Sequence, residues 1–223
     1  MKRTVTEELL DEDLGTADEI ADSLSDLRRI NRWFGGMRTT TGLLRRVARR
    51  SGCRQLSVLE AGAGGGDVPL AAQRALSREG VDVQITLLDR NWSHLPHNGT
   101  VSIAGDALRL PLRDASFDVV SCSLLSHHFE PDALRLFVQE GLRVCRRAVL
   151  INDLIRSRVH LGLVYLGFPL FRSRITRHDA PASVRRAYTC KEVRELLGGT
   201  QSRIEVSAHY LYRMGVLVWK QGE

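Results

Sequence analysis

Nowhere do the 223 residues approach the roughly 20 consecutive apolar positions that a bilayer-crossing helix needs, so no membrane span is expected. The opening stretch MKRTVTEELLDEDLG turns acidic where a secretion signal would turn apolar, which makes the expected location cytoplasmic. Cysteine is sparse. Cys53, Cys122, Cys145 and Cys190 form no CxxC pair and have no histidine at ligand spacing, which argues against a zinc site or a disulfide framework and leaves reduced thiols, with Cys122 and Cys145 in the core. The net charge of +6 is carried almost wholly by arginines scattered as LRRINR, LLRRVARR, RSRITR and VRRA, and aromatic residues make up only 6%. Without a dense basic block or interleaved stacking rings, these arginines read as a solvated face, and no nucleic-acid partner is expected. Internal repeats and low-complexity linkers are missing too.

What is present is a chain that is 43% hydrophobic, enough for one core, with a regular alternation of apolar runs and helical patterns. Helices are expected over residues 4–13, 17–33 and about 38–50. Leu24, Leu27, Ile30 and Trp33 fall at helical spacing in the second, which Gly35 and Gly36 stop. Then come QLSVLE as a strand, DVPLAAQRALSREG as a helix, and VQITLLD, TVSIAGD and FDVVSCSLL as strands. DALRLFVQEGLRVC follows as a helix and AVLINDL as the fifth strand. Continuous apolar strands separated by helices predict an α/β fold with a doubly wound, mostly parallel sheet. RIEVSAHYLY and RMGVLVWK, joined by a short turn, predict a C-terminal antiparallel hairpin. Residues 1–52 read as an N-terminal helical cap, and residues 53–223 as the main domain, with an insertion at 155–188. Inside that insertion VHLGLVYLGFPLF is strongly apolar: either a helix packed on the sheet edge or a lid over a greasy pocket.

The stretch LEAGAGGGDVPL sets four glycines within five positions directly after the first strand. A strand running into bare glycines and then a helix offers backbone N–H groups and a helix N-terminus to a nucleotide-like ligand. A dinucleotide loop needs G-x-G-x-x-G, and counting from Gly62 its third glycine falls where this chain has Asp67. Glu60 before the loop and Asp67 after it would repel a pyrophosphate and attract a cationic, phosphate-free ligand. Asp67 also reads as the N-cap of its helix, with Pro69 in the first turn. Asp118 in SFDVV reads as structural.

VLEAGAGGG, then LLD ending in Asp89, then GDALRLPLRDASFDVV resemble the class I S-adenosylmethionine-dependent methyltransferases over roughly residues 55–155. LSHHFEPDALRLFVQEGLRVCRRAVLINDLIRS is similar to the ubiquinone and menaquinone biosynthesis methyltransferases and to small phenol or quinone methyltransferases. SLSDLRRINRWFGG and RHDAPASVRRAYTCKEVRELL look most like a bacterial branch tied to polyketide and phenolic-lipid pathways. The resemblance implies a Rossmann-like seven-stranded sheet and S-adenosylmethionine as cofactor, leaving as S-adenosylhomocysteine. It also implies that Glu60, Gly62, Gly64 and Gly66 surround the methionine part and that Asp89 accepts both ribose hydroxyls. Asp106 would accept from the adenine amino group with Ala107 beside the ring, and Ser123 would lie near the sulfonium. Three acidic residues at three successive strand ends make this combination specific.

Methyl transfer from a sulfonium is an in-line displacement that depends on positioning the nucleophile and, for a hydroxyl, on removing its proton. His127 and His128 follow the fourth strand at the edge where ligands of open α/β sheets bind, so either is a candidate base. His178, in the insertion beside Asp179, is a third candidate; in an extended stretch these two neighbours would point apart rather than pair. Asn152, Asp153 and Arg156 at the end of the fifth strand, and Tyr188, are candidate substrate contacts, while His160 and His209 read as structural. No catalytic metal is evident. The helix carrying Trp33, with Phe34, is a candidate cover for the cofactor. The expected activity is methylation, at oxygen rather than carbon, of a small aromatic, lipophilic phenol or quinone of secondary metabolism, by a monomer or homodimer. The alternatives are a carbon methyltransferase of quinone biosynthesis and a non-catalytic binder of the cofactor. An RNA methyltransferase is opposed by the sequence SCSL where an asparagine-proline-type tetrapeptide would stand.

Overall fold

The computed structural model describes residues 1–10, 14–96, 99–199 and 201–221. Seven strands, β1 (Gln55–Ala61), β2 (Asp82–Asp89), β3 (Val101–Ala104), β4 (Phe117–Ser123), β5 (Cys145–Leu154), β6 (Ile204–His209) and β7 (Arg213–Trp219), form one sheet. Its order is β3-β2-β1-β4-β5-β7-β6. The first five strands are parallel, and the expected hairpin closes the sheet antiparallel. The later strand of that hairpin, β7, takes the inner place against β5, and β6 becomes the edge. Residue type explains this order: RMGVLVW is buried at every position, as a strand between two neighbours must be, whereas every residue of IEVSAH keeps some exposure.

Two cores follow from the two-residue period of the strands. Val58, Val119, Leu150 and Leu217 face one way, onto Leu44 and Val47 of α2 (Gly36–Ser51) and Leu76 of α3 (Asp67–Ser77). Their neighbours Leu59, Val120, Ile151 and Val218 face the other way. There they meet Leu134, Phe137 and Val138 of α4 (Pro131–Val144) and Val193 and Leu197 of α7 (Cys190–Leu197). Cys122 and Cys145 are buried in the second core, as expected, and all four thiols are free.

The N-terminal region departs from expectation in one place. The helix expected over 4–13 is not formed at residues 4–10, and the rest of that span lies outside the described residues. The segment runs instead as a strap, because other groups capture its backbone: the Leu9 and Leu10 N–H groups donate to the Asp179 carboxylate at 2.8 and 3.0 Å, and Thr4 N–H donates to the Arg185 carbonyl at 3.1 Å. Next come α1 (Ala17–Trp33), started by a Thr16–Glu19 capping box, and α2. Gly35 joins the two helices at φ 86°, a conformation that favours glycine.

The insertion after β5 is helical. It consists of α5 (Arg158–Leu166), a single 3-10 turn (Phe168–Leu170) and α6 (Arg174–Arg186). The apolar stretch forms α5, which lies against α6 and the turn after it, with His160 stacked on Tyr212 in the turn between β6 and β7. No residue of α5 is buried. The sequence pattern hid α6 because Pro181 stands inside it, where a helix ordinarily stops.

Candidate functional site

A cleft of about 650 Å³ opens over the carboxyl ends of β1, β2 and β4. The strand order reverses between β1 and β4 there, leaving a crevice that neither crossover helix covers. Its floor is the glycine loop. Gly62 (φ 63°), Gly64 (φ 48°) and Gly66 (φ 69°) are all in the left-handed region. A Cβ on Gly62 would sit 2.8 Å from Leu125, and one on Gly66 2.6 Å from Leu87, whereas at Gly64 nothing lies within 4 Å. The left-handed backbone favours glycine at all three, a Cβ at the outer two would also displace leucine side chains, and the middle one faces the open cleft.

Three carboxylates stand around this floor. Asp89, at the end of β2, accepts the Gly64 N–H at 2.8 Å on one oxygen and the Asn91 N–H at 3.0 Å on the other, which fixes its plane and leaves a lone pair on each oxygen. Asp106, after β3, accepts the Leu108 N–H at 2.8 Å and pairs with Arg90 at 3.1 Å; Ala107 lines the cleft beside it. Glu60 is buried, and its carboxylate accepts from the Ser121 hydroxyl. Burial raises its pKa to about 7, against the opposing pull of hydrogen bonds from Ser121 and Ser123. A buried acid poised between its two charge states is stabilised as the anion by any cation that reaches it. Ser123 also lines the cleft. The N-cap expected of Asp67 is taken by Gly66. Asp67 is the first helical residue and turns its carboxylate to Arg28 of α1 at 2.9 Å.

The opposite wall comes from distant parts of the chain. Leu24, Leu27, Arg28 and Asn31 of α1, with Leu10 of the strap, face the glycine floor, so α1 covers the cleft through these side chains, while Trp33 stays 60% exposed. His128, in the 3-10 turn after β4, and Phe129, which follows that turn, line the same end, with Arg186 of α6. Arg186 Nη1 lies 3.3 Å from His128 Nδ1, and Nη2 donates to the His128 carbonyl at 2.8 Å.

His127 points the other way, into the protein. Its Nδ1 bonds Asp153 at 2.7 Å, and the Ser126 hydroxyl donates to the same carboxylate at 2.5 Å. Burial alone would push the His127 pKa down and that of Asp153 up, but their mutual attraction prevails, and Glu8 of the strap adds to it. The pair is held as imidazolium and carboxylate. Glu8 Oε1 lies 3.4 Å from His127 Nε2 and 3.8 Å from His128 Nε2. The three residues are the group, among those described, whose ligand atoms lie close enough to hold a metal ion. Their surroundings assign them to an ion-pair network instead: Asp153 holds His127 protonated, and Arg186 places a fixed positive charge against His128.

Four expected contacts lie elsewhere. His178 is on the exposed side of α6, outside the cleft, and pairs with Asp179 at 2.8 Å, contrary to the expectation that these neighbours diverge, because the segment is helical and not extended. Asn152 is buried and donates to the Gly36 carbonyl and Thr40 hydroxyl, both at 2.8 Å, tying β5 to α2. Arg156 donates to the Ala187 and Met1 carbonyls and pairs with Glu192. Tyr188 donates to the Phe129 carbonyl at 2.7 Å. None of the four borders the cleft. Asp118, expected to be structural, accepts from Ser57 and pairs with Arg146 and Arg147. His160 and His209 likewise bond within the fold, to the Ile155 carbonyl and the Ser207 hydroxyl. Sequence reasoning missed Glu8, Arg28 and Arg186. Only the apolar spacing of Leu24 and Leu27 signalled that α1 had a face to bury.

The comparisons agree with this fold. Residues 59–151 match the family model described as a methyltransferase domain. No curated protein sequence matches the chain. Among solved structures, the plantazolicin methyltransferase BpumL, in complex with a triazolic desmethylPZN analog and SAH, superimposes with a TM-score of 0.70 at 13% identity, over 96% of this chain and 95% of that one. Magnesium protoporphyrin IX methyltransferase from Synechocystis PCC 6803, with bound SAH, gives 0.55 at 15% identity over 84% of each chain. A SAM dependent methyltransferase from Aquifex aeolicus gives 0.51 at 16% identity, over 78% of this chain and 88% of that one.

Proposed function

Starting from a chain that is a class I S-adenosylmethionine-dependent methyltransferase, we propose that it methylates the hydroxyl of a small, lipophilic, phenolic acceptor held against His128. When bound, S-adenosylmethionine supplies an electrophilic methyl on sulfur. The residues present fit it. Glu60, raised toward neutrality by burial, gains a favourable charge from the donor's ammonium, and the open face of Gly64 admits its chain. Asp89 keeps two lone pairs for the ribose hydroxyls, Asp106 accepts from the adenine amino group beside Ala107, and Ser123 stands toward the reacting end. Glu60 and Asp67 oppose a pyrophosphate, which disfavours a nicotinamide dinucleotide.

The observation that carries the acceptor reading is the makeup of the far wall. Leu10, Leu24, Leu27, Leu125 and Phe129 form an apolar surface, with His128 as the imidazole on it. Such a wall orients an apolar ring, and His128 Nδ1, which accepts from Arg186, serves as proton acceptor for a hydroxyl that takes the place of Arg186 there. His127, locked by Asp153 and Glu8, holds the turn that carries His128. A labelled methyl donor, offered with a panel of phenols, anilines and carboxylic acids, tests this. Transfer to lipophilic phenols is expected, with turnover falling by about 10²- to 10⁴-fold in His128→Ala. If the label moves only to nitrogen, carbon or carboxylate acceptors, the phenol reading fails and methyl transfer itself stands.

A further inference from the structure

Outside the cleft, α5 and the turn that follows it form an apolar knob whose tip no other element among the described residues covers. In RVHLGLVYL six of nine residues are apolar or aromatic and none is buried. Leu166 is 78% exposed, and Val159, Leu163, Tyr165 and Leu170 are exposed with it. Isolated exposed leucines are ordinary, but five large apolar side chains within twelve residues make a patch that needs an occupant.

The charges around the patch say which. Between Asp153 and Asp179 the chain has no acidic residue and five arginines. Arg156 and Arg174 are engaged by Glu192 and Glu19. Arg158, Arg172 and Arg177 stand exposed at the knob's base. Arg185 lies behind Tyr165, its guanidinium donating to the phenol oxygen at 2.6 Å. The nearby carboxylates of Glu19 and Asp26 are taken up by Arg174 and by the Arg172 and Ser173 N–H groups. An apolar tip whose own segment carries arginines and no acid is complementary to a surface with a greasy interior and an anionic rim. A second copy of the chain would bring the same arginines against these, which disfavours self-association through this face. We infer that the α5–Leu170 knob docks the protein on an anionic lipid surface, seating Val159, Leu163, Leu166 and Leu170 among the acyl chains with arginines at the headgroups. With nine residues and about 13 Å of length, α5 lies in the interface and does not cross it.

Docking there reaches the cleft's cover directly. Arg29 of α1 donates to the Leu170 carbonyl at 3.1 Å, and Asp26 of α1 accepts the Arg172 and Ser173 N–H groups at 2.8 and 3.0 Å. The same helix presents Leu24, Leu27 and Arg28 to the cleft. The inference does not depend on the phenolic reading.

Co-sedimentation of the full chain with vesicles of phosphatidylcholine, or of equimolar phosphatidylcholine and phosphatidylglycerol, tests it. Partitioning should favour the anionic vesicles by about tenfold or more and weaken with salt. The double substitution Leu163→Asp with Leu166→Asp should lower it by about tenfold or more, with donor binding retained as the control for folding. Arg158→Glu with Arg172→Glu should abolish most of the preference for anionic lipid. Leu166→Trp, which keeps an apolar side chain, should show blue-shifted emission on anionic vesicles only. Equal partitioning on both vesicle types, binding indifferent to the aspartates, an unshifted tryptophan, or a dimer in light scattering that Leu166→Asp dissolves would each overturn the inference.

Discussion

The two walls of the cleft are built on different principles. The donor-side wall is assembled from consecutive strand ends within residues 60–106, each placed by the sheet and locked by hydrogen bonds to near neighbours, such as Gly64 to Asp89. The facing wall is gathered from the strap, α1, the turn after β4 and the end of α6. It is held by contacts such as Arg3 to Glu130 at 2.9 Å and Leu9 to Asp179 at 2.8 Å, which join residues more than 120 positions apart. A wall made of strand ends inherits its precision from the sheet. The facing wall depends on long-range polar couplings, and losing a buried one, such as that of His127 with Asp153, should cost more.

The sharpest way to break that comparison is Asp153→Ala. It strands the buried His127 charge beside Glu8, and removing one partner of a buried ion pair costs about 3–5 kcal/mol. Chemical denaturation should show a loss of this size. A loss under about 1 kcal/mol would mean that His127 is not held as an imidazolium, and the facing wall would then rest on packing alone. On the donor side, Asp89→Ala should weaken S-adenosylmethionine binding by about 1–3 kcal/mol in a calorimetric titration, the range for hydrogen bonds to a charged group. Unchanged binding would remove Asp89 from the ribose assignment.

That contrast also explains what could be read from sequence. The strands, the glycine floor and the acids at 60, 89 and 106 were legible because their signals are local: two-residue alternation, a bare loop, a carboxylate within two residues of each strand's end. The closing hairpin was legible, but not the inner place of β7, since the choice between β6 and β7 is made by which strand is apolar on both faces. Asn152 and Arg156 were placed at the end of the fifth strand and Tyr188 in the insertion, but each is turned to its partner by a tertiary contact with α2, α7 or the turn after β4. The strap failed as a helix for the same reason: Asp179, far along the chain, outbids its local hydrogen bonds.

Glu60 offers a finer test, because its charge state sets the donor wall. Its folded pKa of about 7 lies above the ordinary 4.5, so this group favours folding at low pH and loses that contribution as pH climbs through about 7. Donor binding runs the opposite way. The cation is attracted to the ionised acid, so affinity should rise by up to about tenfold per pH unit as pH approaches 7 from below and level off above it. Glu60→Gln should flatten the profile. A wild-type affinity independent of pH between about 5.5 and 8 would mean that Glu60 does not face the donor's ammonium.

The smallest effect is expected where the two walls meet, at the Arg28–Asp67 pair. The Arg28 side chain is 60% exposed, so water and salt screen the pair, and such contacts contribute about 0–1 kcal/mol. Arg28→Ala should therefore leave the denaturation midpoint nearly unchanged. Yet Arg28 bridges from α1, which covers the cleft, to the first residue of the helix beneath the glycine floor. Freeing that end of α1 should show in kinetics: donor dissociation should quicken by a few-fold, with the association rate held, because a loosened cover releases its ligand more often than it admits one. A stability loss above about 2 kcal/mol would instead make α1 part of the donor wall's own framework, and the division between the two walls would have to be redrawn along α2.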